Sequence, residues 1–416
     1  MNLIKTGLLN SIAVGVRLLT SVGLNKILAI YVGPSGYAVI GQLNNFITML
    51  VNAAGGAVNT GVIKYTAEYC DDEKRQIAIW KTAGTIATIV SISLGFIIAV
   101  SYQPLANLIL KGQTHAEVFI FLGAGLLFFT LNALLLAILN GKKEIKRYVL
   151  VNIIGSVVGL LATGALSVLF GLFGALIALA INQSIVFCVT LALCWRRPWF
   201  KLSSIFGHID PESLRSLGKY ALLTVVSTAC LPISQILIRN HITRNFGWQA
   251  AGHWEALIRI SSLYLMVVTT PLSIYYLPRL SEIRNSSELK REISRGYCLI
   301  LPVAVMCAFS IYALKNWIIL ILFTDEFAPM RDLFAWQLMG DVMKIGSWLI
   351  SYLMLGRAMV KLFIFTEVLF SVSWVMLVIL FTGFYGVQGA QIAYCTNYII
   401  YWATIAFLCL KRINNI

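Results

Sequence analysis

Apolar residues form runs of about 20 along almost the whole chain, separated by short polar segments. A run of this length crosses the bilayer core as one α-helix. The runs cover 8–31, 38–63, 82–102, 117–140, 149–170, 172–194, 217–238, 250–276, 296–315, 330–355, 360–381 and 385–410. The pattern therefore predicts an all-α polytopic membrane protein with about twelve transmembrane helices.

A polar, basic stretch in the middle of the chain divides the spans into two sets of six. We expect an N-terminal six-helix lobe over 1–195, a cytoplasmic linker over 196–216 and a C-terminal six-helix lobe over 217–416. An even number of spans gives both lobes the same orientation in the membrane. The predicted architecture is a parallel pseudo-twofold repeat around a central cleft.

Composition agrees with this pattern, since 59% of residues are hydrophobic, 12% are charged and the mean hydropathy is +0.83. These values exclude an ordinary soluble domain. The net charge of +15 lies mainly in short loops on one side of the predicted membrane, which indicates cytoplasmic termini rather than nucleic-acid binding. The predicted loops on the other side contain Lys111, Arg239, Arg244 and Lys315.

Catalytic and metal-binding signatures are absent from the sequence. The eight cysteines include no Cys-x-x-Cys pair, the four histidines are isolated, and no phosphate-binding Gly-x-x-x-x-Gly-Lys-Ser/Thr motif occurs. We therefore predict a carrier rather than an enzyme, with no catalytic residue, metal site or cofactor.

Charged residues inside the spans indicate function, because each costs at least about 2.5–3.5 kcal/mol at mid-membrane. Arg17 and Arg259 lie deepest, whereas Lys26 lies near a helix end. Glu255 precedes Arg259 by four residues, a spacing that allows the two to pair on one helix face.

A second set of intramembrane charges lies in the last third of the chain. Asp341 and Lys344, three residues apart, are expected to pair with each other. Asp332 and Glu367 are further intramembrane acids. These charges are candidates for ion coupling or for structural roles.

Uncharged polar residues repeat at helical spacing on two spans. Their side chains suit either sugar hydroxyl groups in a cavity or hydrogen bonds between helices, and we favour the cavity. They are Asn45, Asn52 and Asn59 on the second span, and Tyr220, Thr224 and Gln235 on the seventh.

Two segments carry a resemblance to a known family. Residues 327–344 read FAPMRDLFAWQLMGDVMK, and residues 26–37 read KILAIYVGPSGY. Both resemble Wzx-type lipid-linked oligosaccharide flippases, which are part of the superfamily that includes multidrug extruders. The likeness extends along the whole chain.

The resemblance implies transfer of an undecaprenyl-diphosphate-linked oligosaccharide, either lipid III or an O-antigen repeat unit, across the bacterial inner membrane by alternating access. It implies that Arg17, Arg259 and Lys26 hold the diphosphate, while the asparagines meet the glycan. The implied partners are this glycolipid, membrane lipid, and the polymerase and chain-length proteins of the same pathway.

The sequence does not decide which ion gradient drives transport, and it is also compatible with two other functions. Proton or sodium coupling requires a deep acid, for which Glu255, Asp341 and Glu367 are the candidates. One alternative function is cation-coupled export of multiple drugs or other small molecules, which requires an acid-dominated cavity. The other is a lipid scramblase without directional transport.

Overall fold

The structure is a computed structural model that describes residues 3–110, 115–272, 276, 279–280, 283, 285–357 and 359–413. Side chains are described for these residues except 3–10, 57, 219–223, 267, 270–271, 286 and 410–413. The described chain is mostly helical and contains no strand. The helices are α1 (Leu3–Tyr31), α2 (Gly33–Val51), α3 (Ala57–Glu68), α4 (Glu73–Val100), α5 (Tyr102–Ile109), α6 (Val118–Gly141), α7 (Ile145–Trp195), α8 (Leu202–Ile205), α9 (Pro211–Pro271), α10 (Ser286–Ala313), α11 (Lys315–Leu322), α12 (Phe334–Gly356), α13 (Val360–Tyr385) and α14 (Gly389–Ile413).

Helix lengths confirm the polytopic membrane fold. By length and composition, seven described helices, or eight counting one bent pair, qualify to cross a membrane. One of the seven is α7, with 51 residues, and another is the 50-residue stretch Val360–Cys409, which joins α13 and α14. At about 1.5 Å per residue, each is long enough for two crossings of a core of about 30 Å. Helix α9, with 61 residues, is also long enough for two.

Glycines with positive φ divide the helical chain between successive spans. Gly171 (φ 55°) interrupts α7, Gly247 (φ 86°) interrupts α9, Gly33 (φ 67°) starts α2 and Gly386 (φ 59°) follows α13. Glycine adopts this left-handed region without the steric cost of a Cβ. Each break therefore ends one span and starts the next with almost no loop.

The same breaks reveal the internal repeat. Gly33 and Gly247 are separated by nearly the same number of residues as Gly171 and Gly386. Each half also contains a 28-residue helix followed by an 8-residue helix, namely α4 with α5 and α10 with α11. The matching order and spacing support the predicted parallel repeat.

The contacts divide the chain into two compact units. Unit 1 comprises residues 1–32 and 39–232, and unit 2 comprises 33–38 and 233–416. Residues 33–38 therefore pack with the second half of the chain, and 217–232 pack with the first. The lobe boundary at 216 stays a prediction.

The segment expected to be a linker, 196–216, packs within unit 1 against α4. The Thr85 hydroxyl donates to the Gly207 carbonyl at 3.0 Å, and the Asp210 amide donates to Thr82 Oγ1 at 3.0 Å. The Ile205 backbone lies so close to Gly84 that a Cβ there would overlap the Ile205 carbonyl oxygen. These contacts hold α8 and its flanking residues against α4.

Glu144, which precedes α7, ties this segment to the end of α6. Its carboxylate accepts hydrogen bonds from Arg147 Nη1 at 2.7 Å, Arg197 Nη2 at 2.8 Å and Trp199 Nε1 at 2.8 Å. Partial burial opposes ionisation, but the hydrogen bonds from Trp199, Arg197 and Arg147 outweigh it and hold the pKa of Glu144 below its ordinary value.

We expect Glu144→Gln to lower the melting temperature of the detergent-purified protein by about 2–4 °C at pH 7. A depressed folded-state pKa stabilises the protein above the unfolded pKa of about 4.3, and this stabilisation disappears as pH falls through the folded value. The difference between wild type and variant should therefore shrink below about pH 4 in intrinsic tryptophan fluorescence melts.

Glu68→Gln is the control for this prediction. Glu68 forms an exposed pair with Lys64 at 3.8 Å, which contributes little. A Glu144→Gln difference that stays the same from pH 7 to pH 3.5 would contradict the assignment.

Candidate functional site

An acid shared by two arginines lies in unit 2. Glu255 Oε2 accepts from Arg239 Nη2 at 2.5 Å, and Glu255 Oε1 accepts from Arg259 Nε at 3.2 Å. Arg239 comes from α9 before the break at Gly247, whereas Glu255 and Arg259 come from α9 after it. The break thus folds α9 back so that one carboxylate meets both guanidinium groups.

Aromatic rings cover both guanidinium groups. The Arg239 guanidinium lies 5.4 Å from the centre of the Trp254 ring, and that of Arg259 lies 4.9 Å from the centre of the Tyr37 ring. Such cation–π contacts stabilise a cation removed from water. We call Arg239, Glu255, Arg259, Trp254 and Tyr37 the arginine cluster.

The two arginines differ in exposure and in remaining hydrogen-bonding capacity. The Arg239 side chain is 1% exposed, and that of Arg259 is 21% exposed. Arg259 uses Nε for Glu255, and its two terminal nitrogens donate to no described residue. Two positive charges and one negative charge leave the cluster with one net positive charge. That charge and the donor fork of Arg259 are available to an anion.

The placement of Arg239 corrects its predicted position in a loop. We expected Arg239 in a loop after a span ending at 238, but α9 continues as regular helix to the break at Gly247. Arg239 also lies four residues after Gln235, so it extends the predicted polar face of the seventh span. The four-residue spacing from Gln235 indicates that Arg239 continues the same helix face. The apolar run ends at residue 238, however, and this end indicated a loop instead.

Asp341 forms a second buried polar cluster in unit 2. Its Oδ2 accepts from Ser261 Oγ and Tyr264 Oη, each at 2.6 Å. Its Oδ1 accepts from Gln337 Nε2 at 3.2 Å and Tyr394 Oη at 2.8 Å. Asp341 is 0% exposed. We call these five residues the Asp341 cluster, in which four neutral donors solvate one carboxylate.

The predicted Asp341–Lys344 ion pair is wrong. Lys344 Nζ instead lies 5.1–5.6 Å from the ring centres of Trp348, Tyr394 and Tyr398. The physical reason is that neutral donors already occupy both Asp341 oxygens, while ring faces provide the negative potential that Lys344 needs.

The predicted basic residues of unit 1 lie on α1. Arg17 is exposed, and its side chain forms no hydrogen bond or ion pair with any described residue. Lys26 is half-buried. Their roles in diphosphate binding stay predictions.

We call Asn45, Asn52 and Asn59 the asparagine stripe. The stripe is interrupted, although the regular spacing of these residues predicts one polar face along the second span. Residues Asn52–Gly56 form a π-helical turn, and the two helical segments on either side are bent by 43°. Two adjacent glycines in this turn lower helix stability and explain the break. Asn45 lies before the turn and Asn59 after it, so the three amides do not share one continuous helix face.

Asn45 is buried, and its amide nitrogen has no hydrogen-bond partner among the described residues. Asn52 and Asn59 are half-buried. Thr224 and Gln235, on α9, are half-buried as well, while the side chain of Tyr220 lies outside those described.

The remaining predicted acids lie in different settings. Asp332 is exposed in a 3-10 segment, Asp325–Leu333, that precedes α12 and forms the start of the candidate span Asp325–Gly356. Pro329 in this segment delays the regular helix. Glu367 is half-buried on α13. Within the described part of the chain, no three His, Cys, Asp or Glu side chains converge as a metal site.

The chain matches one protein-family model and is similar in sequence to two known proteins. Residues 3–284 match the family model described as polysaccharide biosynthesis protein. The chain is similar to proteins named lipid III flippase from Escherichia coli strain K12 and Shigella flexneri, each 27% identical over 407 residues, covering 97% of both chains.

A solved structure shares the fold. It is an inward-facing multidrug resistance MATE family transporter of the MOP superfamily, with a TM-score of 0.80 and 16% identity over 96% of this chain and 95% of that chain. At this identity the likeness shows the helical transporter fold alone.

We expect Asp341→Asn to destabilise the protein by about 3 kcal/mol, because the new amide nitrogen presents hydrogens to donors that now bond a carboxylate oxygen. Thermal unfolding followed by tryptophan fluorescence measures this loss. Asp71→Asn is the control, since Asp71 is exposed. An unchanged melting temperature in Asp341→Asn would show that Asp341 is protonated and itself a donor.

Proposed function

Because the chain belongs to the polysaccharide biosynthesis protein family, we propose that it is a flippase for an undecaprenyl-diphosphate-linked oligosaccharide. It moves this glycolipid from the cytoplasmic to the periplasmic leaflet of the bacterial inner membrane by alternating access. The relatives named lipid III flippase, aligned over 97% of both chains, support this function. Lipid III is the proposed cargo, with an O-antigen repeat unit as the other candidate.

The arginine cluster is the observation that carries the proposal. A diphosphate is an anion with several acceptor oxygens, and a guanidinium binds two such oxygens with two parallel hydrogen bonds. Arg259 has both terminal nitrogens available, while Glu255 and Tyr37 fix the rest of its guanidinium. We assign diphosphate binding to Arg259.

The other substrate contacts follow from the same chemistry. Arg17 is exposed and has no partner among the described side chains, so it is a second proposed phosphate ligand, with Lys26 in a supporting role. Asn45, whose buried amide nitrogen lacks a described acceptor, suits a sugar oxygen.

The basic loops support cytoplasmic termini. The polymerase and chain-length proteins that use the flipped product are proposed partners.

A cation-coupled multidrug exporter is the second candidate function. The buried carboxylate of Asp341 favours it, because such exporters need a deep acid, and the solved neighbour is a multidrug transporter. In the flippase, Asp341 and Glu367 are the proposed sites of proton or sodium coupling. The net positive arginine cluster favours the anionic cargo over an organic cation.

We expect wild-type protein to restore surface glycan in a strain lacking its own Wzx-type flippases, and Arg259→Ala to reduce that glycan at least about tenfold. Arg259→Lys should be intermediate, because it retains the charge but loses the two-pronged donor. Surface glycan is measured by antibody binding at matched membrane abundance.

Arg75→Ala is the matched control, because Arg75 lies on an exposed helix start and forms an exposed pair with Asp72. It should support normal surface glycan. Full activity of Arg259→Ala would remove the arginine cluster from the mechanism. No restoration by wild type with any lipid-linked repeat unit would favour the exporter.

A further inference from the structure

A cavity of about 440 Å³ lies at one end of unit 2. Three chain turns form it: the break of α9 at Gly247, the 3-10 segment Asp325–Leu333 and the turn between α13 and α14. Since α14 begins at this turn and runs 25 residues to Ile413, the cavity lies at the end of the unit opposite the C-terminus.

The lining combines exposed rings with available polar groups. Phe246 is 37% exposed and Tyr385 is 59% exposed. Gln249, Gln388 and Asp332 are exposed, and their side chains form no hydrogen bond or ion pair with any described residue. Ring faces stack against the apolar face of a sugar, and amide and carboxylate groups bind its hydroxyls.

One wall of the cavity is fixed before any ligand binds. His253 Nε2 lies 2.9 Å from the Glu326 carbonyl oxygen, and the His253 ring packs edge-on against Phe327 at 6.0 Å. Phe327 packs in turn against Phe323 at 4.9 Å and Tyr37 at 5.3 Å. These contacts join the 3-10 segment to α9, so less entropy is lost when a ligand binds.

The charge of the lining selects among ligands. Asp332 is the acidic lining residue, and none of the described residues that line the cavity is Lys or Arg. A phosphate or a uronic acid would therefore meet repulsion without compensation. An uncharged, hydroxyl-rich ligand satisfies the two glutamines, Asp332 and the rings together.

We propose that this cavity is a glycan subsite that binds one or two uncharged sugar residues of the transported repeat unit. Its volume lies at the lower end of the roughly 300–1,000 Å³ usual for small-ligand sites. The inference rests on the proposed flippase function. It adds a second point of substrate recognition, made of residues other than the arginine cluster.

Binding of soluble sugars to the full-length protein in nanodiscs tests the subsite. The probes are triacetylchitotriose, which is uncharged, and trigalacturonate, which is anionic, with saturation-transfer NMR and a titration as the readout. We expect chitotriose to bind with a dissociation constant of about 1 mM and trigalacturonate to bind at least about tenfold more weakly. Asp332→Ala and Gln388→Ala should each weaken chitotriose binding at least about fivefold.

Two matched variants separate this inference from the proposed function. Asp325→Asn changes an exposed carboxylate in the same 3-10 segment outside the lining, so it should leave chitotriose binding unchanged. Arg259→Ala should also bind chitotriose normally while failing to restore surface glycan.

Several results would overturn the subsite. Wild type that restores surface glycan but binds no chitotriose, or binds it equally well after both lining substitutions, would overturn the subsite and leave the flippase function intact. Asp332-dependent binding of tetraphenylphosphonium without chitotriose binding would overturn it in favour of an organic-cation site. Wild type that fails to restore glycan would count against the flippase function, whether or not chitotriose binds.

Discussion

The charged side chains that α9 buries are the constraint on which the structure of unit 2 depends. Glu255 meets this constraint by pairing with both Arg239 and Arg259. Removing one partner from a buried ion pair costs about 3–5 kcal/mol, because the remaining charge stays buried without compensation. Arg239, at 1% exposure, therefore depends on Glu255, and Glu255 in turn orients Arg259. Since Arg239 already balances Glu255, the positive charge of Arg259 is unbalanced within the cluster. The break at Gly247 makes this possible by bringing both parts of α9 to one carboxylate.

Helix α9 also stabilises a second buried charge, that of Asp341, through residues that begin two positions after Arg259. Ser261 and Tyr264 donate to Asp341, so neutral hydroxyls rather than a cation satisfy this acid. Lys344, which is nearby in sequence, is satisfied by rings. The two clusters differ in what they offer a ligand: the arginine cluster retains a net positive charge and available donors, whereas the Asp341 oxygens are already occupied. This difference favours anion binding at Arg259 and a structural or ion-coupling role at Asp341.

The sequence predicted the helices well, because apolar runs of spanning length leave few alternatives in a bilayer. It predicted the burial and the partners of the charged side chains less well, because these depend on contacts between helices. Arg239 follows the last apolar residue of its run, so only the continuing helix and its partner 16 residues later reveal that it is buried. The partners of Asp341 come from α9, α12 and α14, a convergence that local spacing does not encode. The interruption of the asparagine stripe was foreseeable, since the adjacent glycines Gly55 and Gly56 lie within one helical turn after Asn52.

The most direct test of the charge balance compares Arg239→Met with the double variant Arg239→Met/Glu255→Gln in proteoliposomes that report flipping of a fluorescent polyprenyl-diphosphate glycan. In the single variant Glu255 neutralises Arg259, so we expect loss of flipping. In the double variant Arg259 regains its unbalanced charge, so flipping returns to at least about half the wild-type rate. Normal flipping by Arg239→Met, or no recovery in a double variant that melts like wild type, would show that the charge balance at Glu255 does not control flipping.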